Sequence, residues 1–103
     1  MNYQYIADLA KEMEIPKEGI LTRVLYQDDR VKAVIFGFDT GQELSEHTAS
    51  VPAILSMVKG SAKITVGEDI LEAEPGAWIY MNAQLPHSIF AKTPVVMLLL
   101  LLR

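Results

Sequence analysis

The chain has 103 residues, half of them hydrophobic, a formal net charge of −4, and no cysteine. This length predicts a single domain over residues 1–103, with enough apolar side chains for a core that needs no disulfide or structural metal. Lys and Arg form no cluster, which argues against a nucleic-acid partner and against an anionic membrane surface. Since no cationic segment followed by an apolar run begins the chain, we expect a cytoplasmic protein.

The first predicted segment is an N-terminal arm, residues 1–19. Pro16 would end a helix there. Four apolar side chains before it have the three- and four-residue spacing of a helical face: Ile6, Leu9, Ala10 and Met13. An irregular arm packed across the rest of the domain is the alternative, and the sequence does not decide between them.

From about residue 20 onward, turn-forming residues separate short runs rich in β-branched and aromatic side chains, which predicts an all-β sandwich or barrel. Ser61 to Val66 alternates between apolar and polar, as a strand with one wet face does. Val31 to Phe38 and Ala77 to Met81 are apolar at successive positions, so we expect both of their faces to be buried. Val95 to Leu102 is shorter than the roughly 20 residues that cross a membrane, and it also predicts a strand buried on both faces.

Two segments resemble the motifs of the cupin family. The first motif is Gly, five residues, His-x-His, three residues, Glu, six residues and Gly; Gly41, His47 and Gly60 occupy their places in it. The second is Gly, five residues, Pro-x-Gly, two residues, His, three residues and Asn, of which Gly76 and His87 are present. The motifs occur in the family's order, with the short separation typical of small single-domain cupins of the RmlC-like, cupin 2 type.

This resemblance implies a double-stranded β-helix, a form of jelly-roll barrel, over residues 20–103, with the N-terminal arm before it. It also implies that His47 and His87 are metal ligands at the barrel mouth. The chain departs from the motifs at the other two ligand positions, where Ala49 replaces a histidine and Ala53 replaces the glutamate. We expect both alanines to line a pocket that is wider and more apolar as a result.

Several other positions near the histidines are polar or depart from the motifs. Glu46 precedes His47, and in a regular strand it would point to the opposite face, which makes it a poor co-ligand unless the strand is bulged. We interpret these neighbours mainly as solvated loop residues: Gln42, Glu43, Glu46 and Gln84. The second-motif replacements are expected to change loops more than chemistry: Asn82, Gln84 and Ala91.

Two imidazoles do not complete a tight divalent site, since catalytic zinc has three protein ligands and non-haem iron has two histidines and a carboxylate. The sequence therefore favours a protein that binds a small molecule in the barrel pocket, with any divalent transition metal held weakly and of unknown identity. The alternative is a metal-dependent cupin enzyme, of dioxygenase or isomerase type, using His47, His87 and an unidentified third ligand. No catalytic residue is assigned, and whether the protein is an enzyme stays open.

The resemblance also implies a homodimer, because small cupins commonly pair through their sheets. Val95 to Leu102 needs cover on both faces: one face fills the barrel, and the other needs a second subunit or the arm, Met1 to Lys17. We expect two-fold pairing. Along the strand predicted within Ala77 to Met81, either Trp78 with Tyr80 or Ile79 with Met81 faces the pocket, and the sequence does not say which.

Overall fold

The computed structural model describes residues 2–103; Met1, the first residue of the predicted arm, lies outside the described residues. The structure consists of antiparallel strands and one short 3₁₀ turn, Leu9–Glu12. No helix among residues 2–103 has the length and apolar character needed to cross a membrane. In chain order the strands are β1 (Ile20–Gln27), β2 (Val31–Phe38), β3 (Glu43–His47), β4 (Ala53–Lys59), β5 (Ala62–Val66), β6 (Asp69–Ala73), β7 (Trp78–Met81), β8 (His87–Ala91) and β9 (Val95–Leu102).

Two sheets face each other. One has five strands in the order β1-β2-β9-β4-β7, and the other has four in the order β3-β8-β5-β6. Only β1–β2 and β5–β6 are consecutive strands that pair within one sheet, so every other connection crosses from one sheet to the other. This arrangement confirms the predicted all-β jelly-roll barrel.

The core lies between the inner faces of the two sheets. Along β4 the inward positions are buried and the outward positions are only partly so, the period of two expected for a strand with one face on the core. Phe36 stacks against Phe38 with ring centroids 6.0 Å apart. The largest fully buried side chains of this core come from both sheets, so one apolar layer holds the sheets together: Phe38, Leu55, Ile64, Met81, Ile89, Met97 and Val95.

The central strand β9 buries side chains on both faces, as predicted. Val95 and Met97 belong to the core between the sheets, and Leu99 and Leu101 pack against it. Val96 points the other way, where it forms a second cluster with residues of the N-terminal arm. The apolar run of the C-terminus is therefore shared between two layers.

The N-terminal arm is irregular apart from its single 3₁₀ turn. The Asp8 side chain accepts a hydrogen bond from the Ala10 amide and so caps that turn. Met13 packs with Ile35 and Val96 on the outer face of the five-stranded sheet. The helical alternative of the sequence analysis is thus limited to one turn.

Strand β7 corrects one expectation. Ile79 and Met81 face the core, whereas Trp78 and Tyr80 are 62% and 48% exposed on the outer face. The expectation that the segment from Ala77 to Met81 is buried on both faces is wrong, because β7 is the last strand of its sheet and nothing within residues 2–103 buries its outer side chains.

The turn between β1 and β2 has the local hydrogen bonding expected of its aspartates. Asp28 accepts hydrogen bonds from the amides of Arg30 and Val31 and from the Tyr26 hydroxyl. These bonds favour the ionised carboxylate and lower the pKa of Asp28 from its ordinary value, the Arg30 amide contributing most. Asp28 is therefore a turn residue and has no part in the site described below.

Gly60 illustrates why this fold needs glycine at one crossing between the sheets. Its φ is +82°, a left-handed conformation that side chains with a Cβ rarely adopt. A Cβ at this position would also overlap the carbonyl oxygen of Pro94. Gly41 has the same φ of +82° but has open space where a Cβ would be. A substitution at Gly41 would therefore cause backbone strain alone, whereas one at Gly60 would cause both backbone strain and steric overlap.

We expect Gly60→Ala to lower the free energy of unfolding more than Gly41→Ala does. Left-handed backbone costs a residue with a Cβ about 1–2 kcal/mol, and both variants incur that cost. Only Gly60→Ala adds overpacking, typically about 1–3 kcal/mol. Urea denaturation of both variants measures the difference, and equal losses would show that the Pro94 contact does not constrain the chain.

Gln84 is a residue with a Cβ in the left-handed region, at φ +68°. It stands where the second cupin motif has glycine, in the loop between β7 and β8. Its amide donates a 2.7 Å hydrogen bond to the Ala49 carbonyl in the loop between β3 and β4. The loop thus retains a backbone conformation that suits glycine, although the side chain has changed.

Gln84→Gly is expected to stabilise the protein by up to about 1 kcal/mol, because it removes strain of about 1–2 kcal/mol while increasing the freedom of the unfolded chain. Thermal unfolding against wild type measures the change. Gln84→Ala keeps the Cβ and serves as the matched control, with stability close to wild type. A glycine variant less stable than the alanine variant would contradict the left-handed assignment.

Candidate functional site

One end of the barrel collects the residues that the motifs single out. Strand β3 ends at His47 and β4 begins at Ala53, while β7 ends at Met81 and β8 begins at His87. The two connecting loops, residues 48–52 and 82–86, therefore lie at the same end. We call this end of the barrel, with its two loops and two histidines, the mouth.

A bulge in β3 sets the direction of His47. Leu44 pairs with Ile89, and His47 pairs with His87, so β3 uses one residue more than β8 over this stretch. Leu44 and Ile89 pack in the core. Without the extra residue, His47 would fall on the face opposite to Leu44. The bulge instead makes His47 the direct cross-strand partner of His87.

The two imidazole rings lie side by side, with centroids 4.2 Å apart and planes inclined by 59°. His87 points toward the barrel interior, along with Ile89 and Ala91, and is 5% exposed. His47 lies at the rim and is exposed to solvent. Rings at this separation are close enough to contact one shared ligand atom or molecule.

Each ring is held by the same local hydrogen bond. His47 Nδ1 lies 2.9 Å from the Ser45 carbonyl oxygen, and His87 Nδ1 lies 2.9 Å from the Leu85 carbonyl oxygen. A carbonyl oxygen only accepts, so Nδ1 carries the hydrogen in both rings, and in the neutral imidazoles Nε2 bears a lone pair. Neither Nε2 has a hydrogen-bond partner within residues 2–103. Histidines that bind a metal through Nε2 commonly donate their Nδ1 hydrogen to a backbone carbonyl in this way.

The loops at the mouth are fixed to each other and to β5–β6. Gln84 N bonds to Ala49 O, as described above, and Gly67 N donates to Pro86 O at 2.8 Å. Leu85, which lies between Gln84 and Pro86 in the chain, supplies the carbonyl oxygen that accepts from the His87 ring. Backbone contacts therefore position the buried ring from both sides.

The two alanines that replace the cupin ligands differ in their surroundings. Ala49 is partly buried in the first loop. Ala53 is 3% exposed and belongs to the core, where its cross-strand neighbours are Met81 and Leu101. These larger apolar side chains flank the position of the motif's glutamate. That the two alanines line a ligand pocket stays a prediction.

The residues present fit a weak two-nitrogen metal site and no more. Within residues 2–103 no three His, Cys, Asp or Glu side chains lie close enough together to hold one metal ion. The bulge that could have turned Glu46 toward the histidines therefore does not complete a triad. Glu43 lies at the far end of β3, opposite Phe90. The assignment of His47 and His87 as metal ligands stays a prediction.

A cavity of about 360 Å³ lies elsewhere, between the start of the N-terminal arm and β1. Asn2, Tyr3, Gln4 and Tyr26 line it, and neither histidine does. A ligand that contacts both imidazoles would thus occupy the open mouth and not this cavity.

Sequence reasoning identified the two histidines but missed the groups that orient them. The carbonyls of Ser45 and Leu85 carry no sequence signal, because every residue has one. The β3 bulge is likewise invisible in the alternation of its side chains. The glycine missing at position 84 was the one available hint that this loop has a special conformation.

Neither the protein-family models nor the curated proteins give a match. Solved structures do. A conserved Streptococcus pyogenes protein of unknown function is 28% identical, with a TM-score of 0.87 over 100% of this chain and 90% of that one. A cupin superfamily protein from Desulfitobacterium hafniense is 25% identical, with a TM-score of 0.89 over 99% and 94%.

A third structure is named a cupin 2 conserved barrel domain protein, from Leptotrichia buccalis. It is 26% identical, with a TM-score of 0.85, and the match covers 92% of this chain and 46% of that one. These similarities agree with the all-β barrel that the two motifs implied and with its two antiparallel sheets. The chain therefore has the RmlC-like cupin barrel fold.

Proposed function

We propose that this protein is a binding module that holds a small organic molecule at the barrel mouth, with the Nε2 atoms of His47 and His87 as its recognition groups. A divalent transition metal would bind to the same two nitrogens, but weakly. The observation that carries the proposal is the paired ring geometry: centroids 4.2 Å apart, with both Nδ1 atoms held by carbonyls.

The chemistry of the mouth defines the class of ligand. A neutral imidazole Nε2 accepts a hydrogen bond, so two of them side by side suit a molecule with one or two hydroxyl, amide or ammonium donors. The face shared with His87 is apolar, since Ile89 and Ala91 follow it on β8 and Val66 is its partner on β5. The ligand should therefore combine a donor group with an apolar body.

The alternative is a metal-dependent enzyme of dioxygenase or isomerase type. It would need a third ligand, supplied by the substrate or by water, because no three His, Cys, Asp or Glu side chains of the described residues come together to hold a metal ion. A metal in such a site would act as a Lewis acid on a substrate oxygen. The two proposals differ in whether metal is required for the ligand to bind, and a thermal-shift ligand screen with and without added metal distinguishes them.

We expect Ni²⁺ or Co²⁺ to bind the purified protein weakly, at one ion per chain, by isothermal titration calorimetry. His47→Ala should weaken binding at least tenfold, about 1.4 kcal/mol; His47 is exposed, so the fold should survive. Glu46→Ala is the matched control and should leave the affinity unchanged. Equal affinity in wild type and His47→Ala would contradict the shared site, as would an equal loss in Glu46→Ala.

Restoring the family's missing ligands should convert the weak site into a tight one. Ala49→His alone is expected to raise metal affinity at least tenfold, and Ala49→His with Ala53→Glu should raise it further. Glutamate at the buried position 53 would destabilise the metal-free protein, so metal should raise the melting temperature of the double variant much more than that of wild type. The same substitutions combined with His47→Ala should lose the gain. No gain in either variant would show that positions 49 and 53 do not face the histidines.

A further inference from the structure

Lys32 is the only charged side chain on the inner face of the five-stranded sheet within residues 2–103. It lies an even number of residues from Phe36 and Phe38, which both contact the core, and β2 has no bulge between them. Successive side chains of a strand alternate between its faces, so Lys32 points to the barrel interior. Its partner on β9, Leu101, packs against the same core.

The strand register places Lys32 at the mouth. Leu101 pairs with both Lys32 and Ala53, and Ala53 begins β4 directly after the first mouth loop. Residues 39–42 alone connect β2 to β3, and residues 92–94 alone connect β8 to β9. Connections this short set β2 opposite β3 and β9 opposite β8, so Lys32 lies opposite the end of β3 that carries His47. In the same way, Leu101 lies opposite His87.

The ammonium group of Lys32 has no counter-charge among the described residues. The salt bridges of residues 2–103 join Arg23 to Glu12 and Lys92 to Glu72, and neither includes Lys32. Lys32 is nevertheless partly buried. A partly buried lysine without a counter-charge is a group with which an anionic ligand can form a charge-assisted hydrogen bond.

Two other cations at this end of the barrel belong to the turn between β1 and β2. Arg30 lies in that turn, and the Arg103 guanidinium donates hydrogen bonds to the Asp28 carbonyl and the Gln27 side chain. The mouth loops, residues 48–52 and 82–86, contain no Lys or Arg. Lys32 is therefore the cation that decides which sign of charge the mouth attracts.

We propose that Lys32 selects a hydroxy monocarboxylate as the ligand of the mouth. The ligand carboxylate would pair with the Lys32 ammonium group, and its hydroxyl group would donate to Nε2 of His47 or His87. This inference rests on the binding role proposed above and adds to it the charge of the ligand. One lysine balances a single negative charge, whereas a phosphate group carries about −1.5 to −2.

The side chains along the mouth fit this orientation of the ligand. Two inward rows face each other there: Gln27–Lys32–Leu101–Ala53–Met81 on the five-stranded sheet and His47–His87–Val66–Asp69 on the four-stranded sheet. The polar groups Lys32 and His47 lie on one side, and Ala53 and Val66 make the middle apolar. Strands about 4.8 Å apart put β4 about 10 Å from β2, which leaves room for a short apolar body. Asp69, at the far end, disfavours a second acidic group on the ligand.

NMR titration of the metal-free protein with three probes of similar size tests the proposal, with the ring signals of His47 and His87 as the readout. The probes are mandelate, its neutral amide mandelamide, and phenylacetate, which lacks the hydroxyl group. Mandelate should bind at least tenfold more tightly than either of the others. Lys32→Met keeps an apolar stem and should remove the preference for mandelate over mandelamide. Lys32→Arg keeps the charge and should retain the preference.

Lys63→Met is the matched control, because Lys63 is exposed on the outer face of β5, where its partners are Glu72 and Phe90. It removes the same charge from the protein and should leave the preference unchanged. Equal affinity of wild type for mandelate and mandelamide would overturn the role of Lys32 but leave the binding mouth standing. A preference that survives in Lys32→Met, or is lost in Lys63→Met, would overturn it as well. If no probe shifts either ring signal at about 10 mM, both this inference and the binding role fail.

Discussion

The apolar layer between the two sheets is the constraint on which the rest of this structure depends. Because nearly every connection crosses from one sheet to the other, the loops have fixed positions only while the inner faces stay packed. The mouth is formed by two such crossings, at the ends of β3 and β7. Leu44 and Ile89 pack in the core next to the histidines on their strands and so fix the position of both strand ends. The β3 bulge then turns His47 to the same face as His87.

The site combines rigid placement with an incomplete ligand set. Backbone carbonyls hold both Nδ1 atoms, so the rings are oriented without any acidic residue behind them. Where the cupin motifs place a second histidine and a glutamate, the chain has alanines, one of which is packed beside Met81 and Leu101. The cost of burying an unpaired charge makes an apolar residue the stable choice at position 53 once the metal is not held tightly. Alanine at position 53 thus favours the packing of the core.

The fold could be predicted from the sequence because its signals are local and repeated. Turn residues, alternation in β5 and the double-faced run of β9 each report burial directly, and the two motifs fix their order. The inward pair of β7 could not be predicted, because all four side chains are large and have mainly apolar surface, and the edge position of β7 depends on pairings distant in sequence. The ring contact was inferred only from the motifs, since the bulge and the two carbonyls leave no pattern in the side chains.

Backbone carbonyls at Nδ1 hold both imidazoles in one tautomer, which leaves Nε2 of each ring unprotonated. Two-bond ¹H–¹⁵N spectra of the histidine rings test it most directly, because the two ring nitrogens differ in chemical shift according to which one carries the hydrogen. The chain contains only His47 and His87, so the spectrum needs no crowded assignment. In metal-free protein at a pH where the rings are neutral, both should be protonated at Nδ1 and unprotonated at Nε2. A hydrogen on Nε2 of either ring would contradict the account.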